Sequence, residues 1–118
     1  MFGRKKPSSD SAIDIDPNSA FKMIQENKDN PNFILMDVRT PAEFEEAHIE
    51  GCILINYQAP DFRDKLQELD KNKSYLVYCR SGMRSAGSVA EMNKMGFQDV
   101  YNMTGGIMGW ESCGLPVK

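Results

Sequence analysis

Apolar and polar positions alternate between two rhythms along the chain. In "AIDIDP" the isoleucines Ile13 and Ile15 stand two apart, the spacing of a short strand. Asp16 followed by Pro17 then predicts a helix start, with the carboxylate as cap and the proline at the first helical position. Ala20, Phe21 and Ile24 recur at helical spacing, so a helix is expected near residues 17–27. "NFILMDVR" is a continuous apolar run, and its length and continuity predict a strand buried on both faces, as in parallel sheets. Thr40, Pro41 and Glu43 form a capping-box pattern that starts a short helix carrying Phe44.

The same alternation continues to the C-terminus. "CILI", from Cys52 to Ile55, predicts another short buried strand. Phe62, Leu66 and Leu69 mark one face of a helix beginning near Pro60. "YLVY", ending at Tyr78, is β-branched and aromatic enough for a fourth strand. Ala86, Val89, Ala90 and Met92 give a helix that Gly96 would close in the left-handed conformation. "DVYN" is a fifth strand, and "TGGIMGWESCGLP" predicts a final short helix stopped by Gly114 and Pro116. Strands alternate with helices throughout, which defines an α/β domain on a mainly parallel sheet. The domain is expected over residues 11–118, with residues 1–10 as a solvated, flexible tail.

Composition narrows the function classes. The chain has 118 residues, enough for one domain with its own core, and 41% of them are hydrophobic. The formal net charge of -3 points to neither a nucleic-acid partner nor a membrane surface, so any anion site must be local. No apolar run approaches the ~20 residues of a membrane-spanning helix. The polar, basic start "MFGRKKPSSD" predicts no secretory signal. Cys52, Cys79 and Cys113 are three in number and widely spaced, which does not make a disulfide framework. With His48 as its one histidine, the chain is poorly supplied for zinc. The expectation is a cytoplasmic, reducing compartment with free thiols.

The chemistry concentrates in "YCRSGMRS", residues 78–85, where a thiol follows the fourth strand and precedes the fourth helix. Ligand sites of parallel sheets form at such carboxyl ends. A free thiol titrates near 8.5, so little is thiolate at neutral pH. Three features favour the thiolate at Cys79. The following helix turns its unpaired N–H groups towards the loop. Arg80 and Arg84 add permanent positive charge. Gly82 lets a short loop aim successive amides inward as an anion-binding nest. Cys52, inside "GCILI", is instead a packed structural thiol, and Cys113 lies in a C-terminal turn.

"CRSGMRS" after a strand resembles the active-site loop of rhodanese-domain sulfurtransferases. "LMDVRTPAEFEEAHIEGCILIN" (residues 35–56) and "NMTGGIMGWESCGLP" (residues 102–116) resemble two further segments of that family, in order and with similar spacing. Cys52 stands where the family usually has alanine, a small-for-small departure. The resemblance implies that Cys79 is a nucleophile carrying a persulfide. It implies that the amides of Arg80, Ser81, Gly82, Met83 and Arg84 cradle the bound sulfur. Arg80 and Arg84 would attract an anionic donor such as thiosulfate, with cyanide or a small or protein thiol as acceptor. No metal or organic cofactor is expected. Two other readings stand beside this one: a cysteine phosphatase or arsenate reductase on the same scaffold, and a non-catalytic binding module. Cys79 and Arg84 enclose four residues, against five in the dual-specificity phosphatases of the cell-division type, and the smaller ring suits a sulfur atom.

Other polar residues read as scaffold. Asp37 and Arg39 flank a strand end and predict an ion pair, since buried charges persist only when paired. Glu43 is a cap partner, His48 a turn residue, and Trp110 a core anchor. Gly105 and Gly106 predict a close approach of backbone to the sheet.

Overall fold

The computed structural model describes residues 13–118. The expected tail, residues 1–10, lies outside them. Five strands, β1 (Ile13–Ile15), β2 (Phe33–Asp37), β3 (Ile53–Leu54), β4 (Ser74–Tyr78) and β5 (Asp99–Met103), form one parallel sheet in the order β1-β5-β4-β2-β3. Between and after them run α1 (Pro17–Glu26), α2 (Pro41–Glu46), α3 (Phe62–Gln67), α4 (Met83–Lys94) and α5 (Gly106–Ser112).

The period-two alternation of the strands sorts their side chains into two cores. Leu35, Leu76, Tyr78 and Met103 face Ala20 of α1 and Ile107 and Trp110 of α5. Met36, Val77 and Val100 face Phe62 and Leu66 of α3 and Val89 and Met92 of α4. Helices therefore cover both faces, as the continuous apolar strands require. Trp110 anchors the first core; its indole N–H donates to the Pro116 carbonyl at 2.8 Å and its ring meets Phe21 edge-on.

Helix starts follow the capping chemistry of the sequence. Asp16 accepts from the Ser19 amide at 2.8 Å. Thr40 and Glu43 complete a reciprocal capping box at α2. Gly96 closes α4 with φ +97°. Two expectations are corrected. The "CILI" strand shrinks to two residues at the sheet edge, and Ile53 is 38% exposed, because β3 pairs with β2 on one side alone. The third helix begins at Phe62 rather than Pro60, and Leu69 packs on its core from just beyond the helix.

Candidate active site

Cys79 follows directly on β4, the central strand of the sheet, where the chain leaves the sheet and turns into α4. Its residue is 1% exposed. The Gly82 amide donates to Cys79 Sγ at 3.0 Å, and the Ser85 hydroxyl oxygen lies 3.4 Å from the same sulfur. Gly82 reaches that position through φ +110°, in the left-handed region open to glycine. It is also the cap of α4 and has no side chain to satisfy the first helical amides, which leaves them facing the loop. Burial pushes the Cys79 thiol up, but the Ser85 hydroxyl and the amides of Ser85, Gly82 and Ser81 outweigh it, so the thiol titrates below its ordinary value.

The loop's orientation is imposed from the side. The N-terminus of α5 abuts it: the Ile107 amide donates to the Cys79 carbonyl at 2.9 Å, and the Met108 amide to the Arg80 carbonyl at 3.1 Å. In a trans peptide the N–H points opposite to its C=O. Holding those two carbonyls towards α5 therefore turns the Arg80 and Ser81 amides the other way. The contact is close. A Cβ on Gly106 would lie 2.6 Å from the Cys79 carbonyl oxygen and closer still to that of Arg80. The expected backbone approach at Gly105 and Gly106 is thus directed at the thiol loop rather than at the sheet.

The loop's two arginines differ. Arg80 is exposed and has no ion-pair partner among the described residues. Arg84 forms a two-pronged pair with Glu43, its nitrogens 2.9 Å from both carboxylate oxygens. That guanidinium, with the Thr40 amide and hydroxyl, overcomes partial burial and holds the Glu43 carboxyl at about 2. Glu43 thus caps α2 and ties it to the first turn of α4, a link that the sequence reading missed. Met83, the first residue of α4, is 81% exposed, and Ser81 is also exposed.

Behind the thiol, Ser85 and Asn102 are buried polar residues that sequence reading did not single out. The Ser85 hydroxyl lies 2.5 Å from Asn102 Oδ1, and Asn102 Nδ2 donates to Asp14 at 3.2 Å. The available signal was an asparagine inside the otherwise apolar "VYNM", since a buried amide needs partners.

The other candidates take structural places. Arg39 wraps Asp37, with Nη2 2.8 Å from Oδ2, and donates to the Ala47 carbonyl at 2.6 Å, joining β2 to the end of α2. The His48 ring lies against Phe44 with Nδ1 2.9 Å from the Phe44 carbonyl, and its backbone pairs with Lys118. Cys52 Sγ is 3.5 Å from the Tyr78 hydroxyl, and burial raises its thiol. Cys113 is exposed. No group of three or more metal-ligating side chains occurs among the described residues, and none of their helices is long and apolar enough to cross a membrane.

A buried thiol bonded by a loop amide thus sits at the carboxyl end of the central parallel strand, where the chain turns into a helix. The chain belongs to the rhodanese-like domain family, whose model matches residues 12–113. It is similar to the thiosulfate sulfurtransferase GlpE of Actinobacillus succinogenes, with 31% identity over 89% of this chain and 89% of that protein. It is 37% identical over 64% of its length to the probable adenylyltransferase/sulfurtransferase MoeZ of Mycobacterium tuberculosis, but spans 19% of that protein. Among solved structures, a rhodanese-related protein from Thermoplasma volcanium superposes with a TM-score of 0.75 at 29% identity, over 90% of this chain and 97% of that one.

Proposed function

We propose that the protein transfers sulfane sulfur through a persulfide on Cys79. The observation that carries this reading is the position of Sγ: bonded by the Gly82 amide, facing the uncapped start of α4, and titrating below an ordinary thiol. Such a nest favours the thiolate before reaction and an anionic sulfur adduct after it. In the first half-reaction the thiolate attacks the outer sulfur of thiosulfate. The sulfur–sulfur bond of the donor breaks, and sulfite leaves with the bonding pair. In the second, cyanide or a thiolate attacks the outer sulfur of the persulfide, and the Cys79 thiolate is regenerated. This is nucleophilic catalysis in ping-pong order. Similarity to a thiosulfate sulfurtransferase supports thiosulfate as a donor.

In this reading the two arginines divide the labour of the loop. Arg84 is neutralised by Glu43, so its first effect is to fix the loop's far end. Exposed Arg80 is the residue placed to attract an incoming anion. The four-residue ring from Cys79 to Arg84 favours sulfur over a phosphoryl group. Parallel assays of thiocyanate formation from thiosulfate and cyanide, and of aryl phosphate hydrolysis, test the choice. Thiocyanate formation that vanishes in Cys79→Ala is expected; phosphate hydrolysis without it would overturn the proposal.

A further inference from the structure

The Ser85 hydroxyl has one proton and three acceptors within reach: Asn102 Oδ1 at 2.5 Å, the Gly82 carbonyl at 3.2 Å and Cys79 Sγ at 3.4 Å. The shortest of the three, to Asn102 Oδ1, points to the acceptor in the resting site. At 2.5 Å the Ser85–Asn102 contact lies in the range of O–H···O bonds and below that of N–H···O bonds, so the amide oxygen faces the serine. The other side of the amide agrees. Asn102 Nδ2 lies 3.2 Å from Asp14 Oδ1, an ordinary N–H···O distance, and a flipped amide would set its oxygen against a carboxylate. Asp14 stands opposite Asn102 in the β1–β5 register, so the pair is fixed by the sheet.

We propose that Asn102, oriented by Asp14, is a positioning residue that withholds the Ser85 proton from Cys79 and so sets how readily the thiol ionises. In the thiol state Ser85 donates to Asn102 and offers Sγ only a lone pair. When Cys79 loses its proton, the Ser85 hydroxyl must turn from Asn102 to the sulfur. The Asn102 bond is lost in that turn and opposes ionisation. Of the charged groups on the thiol loop, Arg84 is matched by Glu43 and Arg80 is exposed at the rim. Neither belongs to this chain of bonds. The inference concerns the thiol's ionisation and is independent of which sulfur donor the protein uses.

The test is the pH dependence of iodoacetamide alkylation at Cys79, read by peptide mass so that Cys52 and Cys113 are scored apart. Asn102→Ala should lower the Cys79 pKa by about half a unit to one unit, the worth of one hydrogen bond. Ser85→Ala should raise it. In the Ser85→Ala background, Asn102→Ala should have no effect, because the proton it competes for is gone. Asp14→Asn, on an exposed side chain, should lower the pKa only when Ser85 is present, and it keeps the test open if the buried double variant does not fold. An unchanged or raised pKa in Asn102→Ala, or an equal shift with and without Ser85, would overturn the relay. Equal shifts would mean that charge or packing acts directly on the thiol.

Discussion

Gly106 and Gly105 make a matched pair for testing how α5 shapes the thiol loop. Both have positive φ, +60° and +75°, so an alanine at either pays a similar backbone penalty of about 1–2 kcal/mol. Their surroundings differ. A Cβ on Gly105 would meet Gly109 Cα at 3.5 Å, an ordinary contact. One on Gly106 would overlap the Cys79 and Arg80 carbonyl groups, which are backbone and have no rotamer to escape into. Overpacking of that kind adds about 1–3 kcal/mol, for a total of about 2–5 kcal/mol in Gly106→Ala. The loop must also shift, loosening the bonds from Ile107 and Met108 that turn the Arg80 and Ser81 amides away from α5. Urea unfolding reads the first effect, and the rate of Cys79 alkylation at neutral pH reads the second. Gly105→Ala should lose about 1–2 kcal/mol and keep a reactive thiol. Gly106→Ala should lose more and react more slowly, as the thiolate fraction falls. Equal stability and equal thiol reactivity in the two variants would refute the role assigned to α5.

Other outcomes follow from single contacts. Glu43 titrates at about 2 in the folded chain against 4.5 as an unperturbed side chain, so its contribution is fully present above about 4.5 and is lost as pH falls towards 2. With its side chain 23% exposed, solvent screening leaves about 1–2 kcal/mol, and Glu43→Gln should cost that much at pH 7 and little at pH 2 in urea melts. A pH-independent cost would show that the Arg84 pair contributes nothing. Trp110→Phe keeps the ring in its core but strands the Pro116 carbonyl, and should cost about 1 kcal/mol in the same melts. No change would assign the indole N–H no structural worth.

The local rules of the chain were legible wherever a residue's reason lay within a few positions of it. Asp16–Pro17 and Thr40–Pro41–Glu43 announce helix starts because capping is completed within one turn. Cys79 could be placed at a strand end because the apolar run stops there and glycine follows. What stayed hidden was set by the sheet's order. Periodicity says that "CILI" is apolar, but whether a strand lies at the centre or the edge depends on its neighbours, so the exposure of Ile53 was unreadable. Glu43 was understood as a cap, yet its second partner, Arg84, lies 41 residues away. Asn102 reaches Ser85 only because β5 lies beside β4, and Asp14 only because β1 lies beside β5. The amides of the thiol loop were expected from its glycine, while the carbonyl contacts that turn them inward come from the start of α5.

Intact mass reads whether Cys79 accepts sulfur. After incubation with thiosulfate the protein should gain the mass of one sulfur atom, and cyanide should remove it. Cys79→Ala should gain none, while Cys52→Ala and Cys113→Ala should gain it as the parent does. Equal labelling of Cys79→Ala, or sulfur lost with Cys52 or Cys113 instead, would contradict the account.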